Sequence, residues 1–229
     1  MRMDTRQEQL LVHIMDEYVR GKEPVGSKLL AGKYRLDVSP ATIRNDMAIL
    51  EEEGYITQPH VSAGRIPTEK AYRYWIQHAA LPELDEDESS LYERTWSQDK
   101  RDEAIKLIAQ SLVDYADNAV VVAFNPYEFY YTGLSALFRQ PEFEEQGYTV
   151  SMAHVIDHLD GILEKLVEKI NQRTVLIGRD NPFGKMCGFV GTNIRIGSQN
   201  GCMGILGPQR MDYPMNMSRM QAIGALVNS

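Results

Sequence analysis

The sequence predicts an α+β protein in two parts, an N-terminal winged helix-turn-helix followed by a second α+β domain. Three observations predict it. In the first 80 residues, apolar stripes at helical spacing lead into a short glycine-turned hairpin signal. An acidic run, Glu83 to Glu88, then interrupts the pattern. Beyond residue 100, long helical stripes give way to short apolar segments punctuated by glycine. The expected divisions are an N-terminal domain over residues 1–80, an acidic linker over 81–100 and a second domain over 101–229.

Leu10, Leu11, Ile14, Met15 and Tyr18 make one face of a first helix from Gln7 to Val19. GKEPVGS breaks it, and Ser27 is the expected N-cap of a short second helix holding Leu29, Leu30 and Tyr34. RLDV, residues 35–38, reads as a turn. In SPATIRNDM, Ser39 caps a third helix and Pro40 fills its first position, where a missing N–H is harmless. Ile43, Met47 and Leu50 share a stripe and should face the core. At about 100° per residue, Ala41, Asn45 and Ala48 then point outward, flanked by Thr42 and Arg44. That outward face is small and polar at its start and acidic at Glu51, Glu52 and Glu53. Such a gradient suits a helix entering a major groove by its N-terminal end. Short side chains let the backbone approach, and Arg or Asn can bond base edges.

Gly54 ends this helix, Tyr55 to Gln58 reads as a strand, PHVSAG turns, and Arg65-Ile66 returns. On such a wing Arg65, His60 and Ser62 would touch phosphates or the minor groove, with Lys28 and Ser39 as further phosphate contacts. Three-helix units with hairpins also dock proteins, and an outward Asn or Thr is often simply solvated. Pattern alone leaves both readings open.

Charge is compatible with DNA. The formal net charge is -8, but residues 1–80 hold eleven basic and eleven acidic residues, so the whole excess lies in the second part. A neutral unit binds phosphate if its cations share one face. The longest clean apolar run, Ala119 to Phe124, is far too short to cross a bilayer, and MRMDTRQEQLL lacks a signal-peptide core, so a cytoplasmic protein is expected.

The stretch from Glu23 to Trp75, EPVGSKLLAGKYRLDVSPATIRNDMAILEEEGYITQPHVSAGRIPTEKAYRYW, resembles the N-terminal domain of the heat-inducible transcription repressor HrcA family. Ala71 stands where that family usually has Gly. In the second half YYTGLSALFRQPEF, TVLIGRDN and GILGPQRMDYPM resemble the family's later motifs. The resemblance implies a GAF-like second domain, reduced here. The family's long stretch between the first strand and the GLS…PEF segment, which carries further strands and an inserted dimerisation subdomain, has no counterpart. It also implies repression of heat-shock chaperone genes, an inverted-repeat double-stranded DNA operator, a homodimer, and the GroE chaperonin as partner. The alternative is a ligand-sensing regulator whose second domain binds a small molecule.

Helices are expected at Asp102 to Asp117, at Met152 to Ile170 and near Asn216 to Val227, with a buried strand at AVVVAF and short β segments at TVLIG, KMCGFV, TNIRIG and GCMGILG. GRDNPFGKM has five residues between its glycines where a phosphate loop needs four, so it reads as a turn, as does Asn125-Pro126. His154 and His158 share a helical face but lack the Glu of a zinc-protease motif. Arg210 and Asp212 are expected as a local ion pair or a helix cap. Cys187 and Cys202 read as buried thiols, with a redox pair as the alternative. No catalytic set, metal site or cofactor is expected.

Overall fold

The computed structural model describes residues 3–34, 38–97, 100–125, 127–144 and 146–229. The predicted turn at Arg35 to Asp37 and the Pro126 turn signal lie outside them. The chain forms two compact units, divided between Ala79 and Ala80.

In the N-terminal unit, helix α1 (Thr5–Gly21) begins with a reciprocal cap, the Asp4 carboxylate taking the Gln7 N–H and the Gln7 amide oxygen taking the Asp4 N–H. It buries Leu10, Leu11, Ile14 and Met15. Helix α2 (Ser27–Lys33) is capped at Gly26, not Ser27, and buries only Leu30. Tyr34 closes it and stacks on His13 of α1, ring centroids 3.8 Å apart. Helix α3 (Pro40–Glu52) buries Ile43, Met47 and Leu50 as predicted. Gly54, with φ of 75°, supplies the left-handed turn into β1 (Ile56–Thr57), which pairs antiparallel with β2 (Ile66–Pro67). A bridge between Val25 and Arg65 adds a third rung from the segment ahead of α2. Helix α4 (Glu69–His78) buries Ala71, Tyr72 and Trp75. Three helices, a short wing and a closing helix make a winged helix-turn-helix.

The C-terminal unit is a five-stranded antiparallel sheet with helices on both faces. Its order is β4-β3-β7-β6-β5, from β3 (Ala119–Asn125), β4 (Glu128–Thr132), β5 (Thr174–Ile177), β6 (Cys187–Ile196) and β7 (Gln199–Pro208). One face carries Val120, Val122, Val190, Ile194, Met203 and Ile205, buried beneath α6 (Arg101–Ala116) and α10 (Tyr213–Val227), on which α5 (Glu86–Trp96) packs in turn. The other carries Ala119, Val121, Ala123, Phe189, Cys202 and Leu206, packed against α7 (Leu134–Phe138), α8 (Gln146–Asp157) and α9 (Leu159–Lys169).

Several expectations are corrected. The linker over 81–100 is mostly helix α5, capped by Asp85. Its acidic residues sit in the first turn, where the helix dipole favours them. One of them, Glu88, is buried because Arg219 meets it at 2.8 Å. The Met152 to Ile170 helix is two helices broken at His158, and the apolar phase continues across the break, so periodicity does not reveal it. KMCGFV and TNIRIG are one strand, β6. Gly191 in its middle is no break: a Cβ there would stand 2.5 Å from the Phe189 ring, which lies over Gly191 and Gly204 on the neighbouring strand. Asp212 caps α10, but Arg210 reaches away to Glu142 at 2.6 Å and Gln140 at 3.0 Å. The two late motifs therefore meet at one buried guanidinium.

Cys187 and Cys202 are not a redox pair. Cys187 stands opposite Pro208 and Cys202 opposite Asn193, which places them about 20 Å apart along the strands, where a disulfide needs ~7 Å. Burial pushes both thiols up to about 12. A thiol reagent at neutral pH is expected to label neither in the folded protein and both in urea; rapid native labelling would contradict this packing. Among the described residues no helix is long and apolar enough to cross a membrane, and no group of three or more acidic, His or Cys side chains is placed to hold a metal.

Candidate nucleic-acid interface

The N-terminal unit offers one continuous polar surface, built from the start of α3, the start of α2 and the wing. Ser39 caps α3 through the Thr42 N–H at 3.2 Å, and the two hydroxyls bond each other at 3.0 Å. This fixes the first turn. Ala41, Arg44, Asn45 and Ala48 are exposed and Thr42 half-exposed, while Ile43, Met47 and Leu50 anchor the opposite side. The outward face is the one the helical phase requires.

The helix is held by a contact that periodicity cannot show. Asp46 is only 3% exposed, yet both its oxygens are taken by Arg6 from α1, at 2.8 and 2.9 Å. A bidentate pair of this kind sets both distance and rotation between α1 and α3.

The wing is stapled by Gln58, whose amide donates to the carbonyls of Val61 and Ala63 at 3.0 and 2.9 Å. His60, Val61 and Ser62 stand exposed at its tip, Val61 at 94%. Between wing, α2 and α3 lies a cleft of about 390 Å³ lined by Lys28, Arg44, Gln58, Ser62 and Gly64 among others. Lys28 is exposed on its rim.

Arg65 is placed differently from expectation. Its Nε donates to Glu51 at 2.9 Å, and its side chain is 20% exposed. The Glu51 carboxylate thereby ties the wing to α3 and neutralises Arg65. Sequence reasoning missed Asp46, Arg6 and Glu51 because each acts through a partner distant in sequence, and Gln58 because its bonds depend on the path of the turn. Lys28, Ser39, Ala41, Thr42, Arg44, Asn45, His60 and Ser62 remain together on the surface.

Residues 73–217 match the family model described as the HrcA protein C terminal domain. The chain belongs to the HrcA family. Residues 33–68 match a second model, the DeoR-like helix-turn-helix domain, which covers α3 and the wing described above. A heat-inducible transcription repressor HrcA from Bifidobacterium animalis subsp. lactis is 60% identical over 78 residues, 34% of this chain and 21% of that protein. Another from Pelotomaculum thermopropionicum is 45% identical over 125 residues, 53% of this chain and 36% of that protein. The chain thus spans well under half the length of these HrcA relatives. A solved structure described as a hypothetical protein at 2.2 Å resolution superposes with a TM-score of 0.75 at 18% identity, covering 98% of this chain and 100% of that one. That likeness speaks for the shared fold.

Proposed function

We propose that this HrcA-family chain is a sequence-specific DNA-binding transcriptional repressor of heat-shock chaperone genes, acting in the cytoplasm. The observation that carries the proposal is the exposed, capped start of α3, with Arg44 and Asn45 outward beside small residues and a wing at its flank. Ala41, Thr42, Arg44 and Asn45 meet base edges in the major groove. Lys28, Ser39, His60 and Ser62 touch the sugar-phosphate backbone, which fixes position but carries no sequence information. Arg65 serves indirectly, by holding the wing against α3 through Glu51. Residues 1–79 are the DNA-binding domain and residues 80–229 the regulatory and dimerisation domain.

One winged helix is a small module, and single modules of this size bury too little surface for tight specific binding. Two joined by a two-fold axis read an inverted repeat, and the second binding event becomes intramolecular. We therefore assign an inverted-repeat operator and a homodimer. The names of the relatives support the heat-shock regulon, and by the same family likeness the GroE chaperonin is the proposed partner that maintains the active repressor. Family membership and the exposed recognition face favour this reading over a small-molecule sensor.

A gel shift against an inverted-repeat operator tests it. Arg44→Ala is expected to weaken operator binding by about 1–3 kcal/mol, or roughly 5- to 150-fold, and to relax base choice at one position of each half-site. Lys28→Ala should weaken all sequences alike and reduce the salt slope by about one. If both variants bind the operator as the wild type does, with the same salt slope, α3 is not the recognition helix.

A further inference from the structure

Strand β4 lies at the edge of the five-stranded sheet, with β3 on one side and no strand on the other among the described residues. An edge strand presents a row of unpaired N–H and C=O groups. Proteins that keep such an edge single blunt it with Lys, Pro, inward charge, a β-bulge or a covering element; the register shift here, between Ala123 and Asn125, falls at the Glu128 end and leaves Phe129 to Thr132 in regular pairing with β3. EFYYT, Glu128–Thr132, contains neither Lys nor Pro. It displays aromatic surface instead: Phe129 is 38% and Tyr131 39% exposed, and Tyr127 just ahead of them is 92% exposed. Phe129 and Tyr131 share one face, their rings stacked with centroids 6.5 Å apart. Tyr130 points to the other face, where the Gln110 amide donates to its hydroxyl at 3.2 Å and the Lys106 ammonium lies 5.8 Å from its ring centre. Leu107, on the same helix and one step round from Lys106, is 43% exposed.

We propose that β4 is the homodimer interface, pairing antiparallel with β4 of a second copy so that the two sheets become one. The strand's own symmetry names the occupant. A two-fold axis normal to the sheet keeps each face on its own side, so only residues of the same face can stand opposite each other. The register centred on Tyr130 satisfies this and uses every residue of the strand. Phe129 then stands opposite Tyr131 of the second copy, twice over, and Tyr130 opposite its own equivalent. Glu128 stands opposite Thr132, so no like charges meet. The register centred on Glu128 would oppose two carboxylates and leave Tyr130 and Tyr131 without an aromatic partner. Cross-strand aromatic pairs are the contacts that stabilise sheets, and like charges directly opposite destabilise them. The inference deepens the repressor reading and rests on it for the expectation of a two-fold assembly.

Sedimentation velocity of the full chain without DNA, at about ten micromolar, tests the assembly separately from DNA binding. The wild type is expected to sediment as a dimer. Phe129→Lys with Tyr131→Lys places Lys against Lys at both aromatic rungs, and should weaken dimerisation more than tenfold. Phe129→Lys with Tyr131→Glu places Lys against Glu and should recover the dimer, with new salt sensitivity. Both positions are more than a third exposed, so circular dichroism should show the fold retained in each variant. A monomeric wild type, a dimer indifferent to the double-Lys change, or a Lys/Glu variant as weak as the Lys/Lys one would each overturn the proposal. A dimer that obeys this pattern but binds neither operator nor half-site would uphold the interface and count against the repressor reading alone.

Discussion

Arg219→Ala is expected to destabilise the C-terminal unit by about 3–5 kcal/mol, the usual consequence of removing one partner of a buried ion pair. Glu88 of α5 is 2% exposed and Arg219 of α10 is 8% exposed. The guanidinium Nε meets the carboxylate at 2.8 Å, a second nitrogen meets it at 3.4 Å, and a third donates to Asn216 at 3.0 Å. Tyr92 donates to the same carboxylate at 2.6 Å. Truncating Arg219 leaves Glu88 charged, buried and held only by Tyr92. For a unit of this size the loss corresponds to a fall of roughly 10 °C in melting temperature. Calorimetry on the full chain would measure it, with the transition of the N-terminal unit as an internal control. Glu88→Leu combined with Arg219→Leu removes both charges and should restore much of the loss, because a buried pair replaced by apolar groups is often neutral. If Arg219→Ala melts where the wild type does, the pair does not hold α5 to α10. Ser218 makes a nearby bond to the Pro82 carbonyl at 2.6 Å, so the same helix also fastens the first residues of the unit.

This network shows where sequence reading stops. Helix α3 was legible because its determinants are local: a serine cap, a proline in the first turn and an apolar stripe at i, i+4, i+7. The outward positions of Ala41, Arg44 and Asn45 follow from the same phase. The acidic run at Glu83 to Glu88 reads as a linker because the partner of its one buried member, Arg219, lies 131 residues away. Arg210 was read as local for the same reason, since its partner Glu142 lies 68 residues back. Gly191 looked like a strand boundary because the Phe189 ring that requires its missing side chain is visible only in three dimensions. The burial of Asp46 likewise depends on Arg6, 40 residues away. Local propensity and periodicity carried the elements; charge partners and packing clearances did not come with them.

Gly64→Ala is expected to lower the stability of the N-terminal unit by about 3 kcal/mol and to abolish specific operator binding. A Cβ at Gly64 would stand 2.5 Å from the backbone carbonyl carbon and oxygen of Val25 and 2.7 Å from that of Pro24. These are main-chain atoms, so no rotamer change relieves the contact, and overpacking of this kind costs about 1–3 kcal/mol. The strand-like rung beside it is then forced open. Val25 N–H donates to Arg65 at 2.9 Å and Arg65 N–H to Val25 at 2.8 Å, each bond contributing about 0.5–1.5 kcal/mol. Arg65 would also leave Glu51, releasing the wing from α3. The tip residues His60 and Ser62 would no longer hold a fixed distance from Arg44 and Asn45. Recognition needs the base contacts and the phosphate contacts in register, so the variant should keep weak, salt-sensitive binding to any DNA while losing its preference for the operator. Gel shifts at two salt concentrations, beside a thermal melt, separate the two effects. An operator preference that survives at full strength would show that the wing does not position the recognition helix on DNA.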